Sequence, residues 1–157
     1  MKILKIAVIV LTTLVGGCFV ANMYGWHRMK TGYEVKAKDY APYLQARLEE
    51  DLGYSGFEHQ WLQKAWLNGF REHTHLFVVT GDANGLREAI EKATGTEPIK
   101  LTYFSSGNYL GPSTPPDWWD TARIDAAESR YFEMNSNFWR FTWHDNRLYI
   151  VYSERRY

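Results

Sequence analysis

The sequence predicts an α+β protein, with an N-terminal membrane helix followed by a small antiparallel sheet of about five strands and helices packed on one face of it. Three observations carry this. From Ile6 to Trp26 the chain is apolar, broken only by Thr12, Thr13, Asn22 and glycines, and it holds no charge. Downstream, apolar residues recur at helical spacing in some stretches and alternate or cluster in others. Near the C-terminus, two alternating runs flank Asp145-Asn146, a two-residue hairpin turn.

The 21 residues from Ile6 to Trp26 would span ~30 Å as a helix, the thickness of a bilayer's hydrocarbon core. Tyr24 and Trp26 then fall at the interface, with Arg28 and Lys30 beyond them. Residues 1–30 are read as a membrane anchor or signal segment, 31–38 as a juxtamembrane linker and 39–157 as one α+β domain. Lys2 and Lys5 ahead of the apolar run also have the form of a secretory signal. Val15-Gly16-Gly17-Cys18 resembles a bacterial lipobox, and the resemblance implies that Cys18 would be lipidated and become the mature N-terminus. The signal-like start places the domain outside the cytoplasm, in a bacterial envelope. The count of basic residues flanking the span argues for the opposite orientation.

Within the domain, Asp39 is expected to cap a helix with Leu44, Leu48 and Leu52 on one stripe, ending at Gly53. Ser55-Gly56-Phe57-Glu58 has capping-box spacing, so a second helix is expected through Trp61, Leu62, Ala65 and Trp66 to Asn68-Gly69. His75 to Thr80 reads as a buried strand, and Asp82 or Asn84 as the cap of a helix with Leu86, Ala89, Ile90 and Ala93 inward and a Glu88–Lys92 pair outward. Ile99 to Phe104 alternates as a strand, and the glycines and prolines of residues 105–116 make a loop. Asp117 and Asp120 are expected to start a short helix through Trp118, Trp119 and Ala122. Ser129 to Met134 and Phe138 to His144 read as strands. The last hairpin pairs Trp143 with Leu148, Phe141 with Ile150 and Trp139 with Tyr152 on one face, and His144 with Arg147, Thr142 with Tyr149 and Arg140 with Val151 on the other.

Composition narrows the function. The chain has 157 residues, enough for one well-cored domain, and a single cysteine, which excludes disulfide scaffolds and paired-cysteine metal sites. Its formal charge is zero, but four basic residues and no acid lie in residues 1–30. The remainder, with 14 basic against 18 acidic residues, is therefore about four units negative. A nucleic-acid partner, which needs clustered cations, is not expected. There is no His-Glu-x-x-His, Gly-x-Ser-x-Gly or phosphate-binding loop; Thr80 to Gly85 lacks the lysine such a loop requires. No cofactor is expected.

Trp118 and Trp119, with Tyr109 upstream and Asp117 beside them, form a candidate aromatic platform for a sugar ring or peptide. The competing role for the two tryptophans is core packing. His73 and His75 share one side of a strand, a weak metal-site arrangement with His59 or His144 as a third ligand, against which stands an ordinary exposed strand start. The acidic run Glu49-Glu50-Asp51 and the pair Asp125 and Glu128 are expected on solvated faces. The resulting expectation is a membrane-held, non-enzymatic domain that contacts a protein or an envelope polymer such as a glycan. The alternatives are an envelope carbohydrate-active enzyme using Asp117 and Asp120, which would need opposed carboxylates across a cleft, and a metal-binding protein using His73 and His75.

Overall fold

The computed structural model describes residues 2–68, 72–81, 84–94, 115–134 and 137–155, with backbone alone at 2–12, 14, 28–30, 72, 84 and 155. The chain runs through α1 (Lys2–Thr31), β1 (Tyr33–Val35), α2 (Ala37–Leu52), a 3₁₀ turn (His59–Trp61), β2 (Leu62–Asn68), β3 (Glu72–Val79), α3 (Asn84–Thr94), α4 (Thr121–Ala126), β4 (Ser129–Met134), β5 (Asn137–His144) and β6 (Arg147–Arg155). The strands form one antiparallel open sheet of six, in the order β1-β2-β3-β6-β5-β4. It consists of two three-stranded meanders joined side by side where β3 pairs with β6.

The α+β class and the antiparallel sheet match the sequence reading, but the sheet is wider. Tyr33–Val35, in the stretch read as a linker, pairs with Leu67, Trp66 and Ala65 as a short edge strand. The stretch from Trp61 to Trp66, read as a helix, is a 3₁₀ turn followed by a strand. The cause lies in the register. A bulge between Leu62 and Lys64 breaks the alternation, and Ala65 and Trp66 are both buried because they face opposite, covered sides of the sheet. Apolar residues at a spacing of three and four thus arise without a helix.

α2 follows its leucine stripe, with Ala41, Leu44 and Leu48 fully buried against the sheet. It begins at Ala37 behind Lys36 rather than at Asp39, and ends where Gly53 takes a left-handed conformation (φ 66°). Gly53 N–H donates to Glu49 O at 3.0 Å and Tyr54 N–H to Leu48 O at 3.1 Å, closing the last turn. α3 buries Leu86 and Ile90 as predicted, while its exposed pair is Arg87–Glu91 at 3.2 Å. The predicted strand from Ile99 to Phe104 and most of the proline-rich loop lie outside the described residues.

The C-terminal hairpin has the predicted register at every pair, from His144↔Arg147 to Trp139↔Tyr152. Asp145 and Asn146 both take positive φ, 50° and 57°, as a type I′ turn requires. Trp139 stacks on Phe141 with centroids 5.5 Å apart and lies 4.2 Å from the Tyr152 ring, on the face covered by α2 and α3. Helices were expected on one face only, yet the opposite face is covered too. There Trp66, Leu76, Val78, Tyr149 and Val151 pack with Trp119 and with Ile124 of α4. Arg140, on that second face, is 2% exposed; its guanidinium donates to Asp125 Oδ1 at 2.6 Å, Ile124 O at 3.1 Å and Ser129 Oγ at 3.2 Å, tying α4 to the sheet.

Among the described residues no helix is long and apolar enough to cross a membrane. The apolar run of the sequence begins in the part of α1 described by backbone alone. α1 ends at Gly32, whose φ is 75°. A methyl group there would overlap the indole of Trp66, so the exit of the helix rests directly on a buried ring of β2. Gly32→Ala is expected to lower the thermal midpoint, with ~1–2 kcal/mol from the left-handed backbone and a further loss from the overlap. In a Trp66→Leu background only the backbone part should remain, and equal losses in both backgrounds would rule out the ring contact.

Candidate functional site

The segment before α4 does not form the predicted helix. Trp118 and Trp119 occupy a turn closed by Trp119 N–H donating to Pro116 O at 2.9 Å, and α4 starts only after Asp120. Asp120 caps it by accepting from Arg123 N–H at 3.2 Å, and its other oxygen pairs with Arg123 Nε at 3.1 Å. That carboxylate is committed to the helix end. Asp117 is exposed in the turn.

The two tryptophans divide their roles. Trp119 is buried at 4% exposure, edge-on to Tyr149 with centroids 5.6 Å apart. Trp118 is half-buried and stands edge-on to Trp119 at 6.0 Å. Its indole N–H is buried and has no acceptor among the described residues. Trp118 forms one wall of a cleft of about 230 Å³ lined also by Gln63, Lys64, Val78, Thr80 and Arg147. The cleft sits over the end of β2, β3 and β6, on the face opposite α2. Tyr109, the remaining member of the predicted platform, lies outside the described residues.

His73 and His75 diverge in environment. His75, expected at an exposed strand start, is 3% exposed, because α2 lies across it and brings Tyr40 and Tyr43 to its two ring nitrogens. Tyr40 Oη is 2.9 Å from Nδ1 and Tyr43 Oη is 3.3 Å from Nε2. The Tyr43 proton is already donated to Glu154 Oε1 at 2.8 Å. Tyr43 therefore accepts from His75 Nε2–H, and a neutral His75 accepts from Tyr40 at Nδ1. Both ring nitrogens are thereby engaged. His73 lies 6.5 Å from it, ring to ring, and the described residues contain no group of three His, Cys, Asp or Glu side chains placed to hold a metal ion.

Glu154 anchors this network. It accepts from Tyr43 and, at 3.3 Å, from Tyr152, and pairs with Arg47 at 3.2 Å. Burial pushes its carboxyl up, but the Tyr43 hydroxyl and the Arg47 guanidinium outweigh that and hold it below the ordinary 4.5. Burial first, and then neighbouring Glu154, keeps the Tyr43 and Tyr152 hydroxyls protonated far above their usual range, so they remain donors. The cluster is a relay of hydrogen bonds from Tyr40 through His75 and Tyr43 to Glu154, joining α2 to β3 and β6.

A second buried acid corrects the sequence reading of Glu49-Glu50-Asp51. The two glutamates are exposed, but Asp51 is 5% exposed at the end of α2 because it faces β5. Its Oδ2 accepts from Trp139 Nε1 at 2.7 Å and from Asn137 Nδ2 at 3.5 Å, while Oδ1 has no partner among the described residues. Burial raises its pKa above the ordinary 3.8 despite these two donors. Asp125 and Glu128 are exposed, as expected, and Asp125 also pairs with the buried Arg140.

Neither buried acid was legible as a site, and neither were Lys64 and Arg147, which the topology brings to one cleft. Tyr40 and Tyr43, three apart on α2, were the available signal for the histidine network. No protein-family model, curated protein or solved structure matches the chain.

The two acids give opposite pH dependence. A lowered carboxyl stabilises the fold above pH 4.5 and loses that contribution as the pH falls through its folded value. The stability advantage of the wild type over Glu154→Gln should therefore be on the order of 1–3 kcal/mol at neutral pH and vanish in acid. A raised carboxyl destabilises as the pH climbs above 3.8 and the group must ionise. Asp51→Asn should gain on the wild type over that rise. Denaturant unfolding at pH 3 to 7 reads both, and parallel curves for all three proteins would show that neither acid titrates with folding.

Proposed function

We propose that this chain is a membrane-anchored, non-enzymatic binding domain, with α1 in a bilayer and the body outside the cytoplasm, contacting a protein or an envelope polymer. One observation carries the anchoring. Among the described residues, every exposed large apolar side chain except Met134 belongs to α1: Val15, Phe19, Val20, Met23, Tyr24 and Trp26, each at least 52% exposed. At 100° per residue they spread over about 180° of the helix, wider than one packing stripe, and the other half carries Gly17, Ala21, Gly25, Cys18 and Asn22 but no charge. A helix apolar all round is at home in a core or a bilayer. The body supplies no such core, having buried its own apolar residues on the two sheet faces.

The binding role is supported by the cleft at Trp118, an apolar wall edged by polar groups. The sequence around Cys18, exposed on α1, offers lipidation as the second route to the same membrane.

Expressed as the full chain in a bacterium, the protein should stay with the membrane pellet through alkaline carbonate and be released by detergent. Paired substitutions Val15→Arg and Val20→Arg, at ~2.5–3.5 kcal/mol each for a charge at mid-bilayer, should move much of it to the soluble fraction. Release of the wild type by carbonate would sink the anchor. The mass of the mature chain separates an intact N-terminus from one cleaved and acylated at Cys18.

A further inference from the structure

The cleft at Trp118 has a chemistry of its own. Lys64 on β2 lies opposite Val78 on β3, and Arg147 opens β6 beside Leu148, which pairs with Val79. The two cations flank β3 at its Val78 end, on strands roughly 10 Å apart. Among the described residues neither has an acidic partner. The acid nearest Arg147 along the hairpin, Asp145, places its carboxylate 3.1 Å from His144 Nε2 instead, and Asp117, next to Trp118, does not line the cleft. Two unopposed cations at one cleft are unexpected on a body whose charge is about four units negative.

Trp118 adds a flat wall held in place from behind by Trp119, itself set against Tyr149. Thr80 and Gln63 bring neutral hydrogen-bonding groups, and Val78 an apolar floor. At about 230 Å³ the cleft is smaller than the ~300–1,000 Å³ of drug-sized sites. It suits one ring and its charged substituent.

We infer that this cleft binds a small oxyanion, carboxylate or phosphate, carried on a flat apolar group that stacks against Trp118. Lys64 and Arg147 neutralise the charge, with the guanidinium able to grip two oxygens at once. Gln63 and Thr80 orient the ligand, and the indole face takes the ring. The inference deepens the binding role proposed above by naming its ligand class, and does not depend on whether α1 lies in a bilayer.

The test is titration of the detergent-solubilised full chain, followed by the indole N–H resonances of its seven tryptophans, with the Trp118 signal assigned from Trp118→Phe. Four probes separate the terms: phenyl phosphate, benzoate, neutral benzamide and inorganic phosphate. Phenyl phosphate or benzoate should move the Trp118 resonance saturably and leave Trp139 in place, with the stronger of the two identifying the source of the oxyanion. Benzamide and inorganic phosphate, each lacking one half of the ligand, should bind at least about tenfold more weakly. Lys64→Gln with Arg147→Gln should weaken the aryl anions by a similar factor while the Trp139 and Trp66 resonances report an intact fold. Equal binding of benzamide and benzoate, no loss in the double variant, or no saturable shift with either aryl anion would overturn the proposal. None of these outcomes bears on membrane attachment, which carbonate extraction reads separately.

Discussion

The pairing of β3 with β6 is the constraint on which the rest of the molecule depends. Eight residue pairs, from Glu72↔Arg155 to Val79↔Leu148, join two meanders that would otherwise be separate three-stranded sheets. Each meander alone has a wide apolar face and little to cover it. Joined, they place Phe77, Ile150 and Phe141 in one row and His75, Tyr152 and Trp139 in the next, under α2 and α3. On the reverse they place Leu76, Val78, Tyr149 and Val151 under Trp119 and α4. The same seam sets His75 beside Tyr152 and brings Val78 between Lys64 and Arg147, so both the buried network and the cleft are products of one strand pairing.

Polar groups are concentrated where the helical layers meet the sheet. α2 is tied down at one end by Tyr40 and Tyr43 reaching His75 and Glu154, and at the other by Asp51 accepting from Trp139. α4 is tied by Arg140. Groups of this kind contribute little net stability, since desolvation offsets most of the attraction, but leaving one partner unpaired costs several kilocalories. A sliding or rotated helix would strand every one of them. They therefore select one placement of each helix from the many that apolar contact alone would accept.

The parts legible in the sequence were those fixed by neighbours along the chain. The Leu44 and Leu48 stripe, the β-branched run at β3, the Leu86 and Ile90 face and the turn at Asp145-Asn146 each carry their own signal within a dozen residues. β2 was misread because a bulge and two covered faces imitate helical spacing, and neither cause is local to Trp61–Trp66. For the same reason Trp118 and Trp119 were legible as a pair but not in their division between rim and core, which Tyr149 decides. The cleft's cations come from strands some 80 residues apart, and the burial of His75 comes from a helix 32 and 35 residues upstream. Contacts of that range leave no trace in spacing.

The seam between β3 and β6 also sets an order of events in time. β3 is complete at Val79, and its partner begins only at Arg147, nearly 70 residues later. At synthesis rates of ~5–20 residues per second, β3 waits several seconds with one edge unpaired, while the β5–β6 hairpin closes within microseconds of its emergence. The nascent chain thus passes through a stage in which an apolar strand, rich in Leu, Phe and Val, offers its backbone to any passing edge. That interval, before either folded face exists, is when the exposed edge of β3 is most open to pairing with another strand.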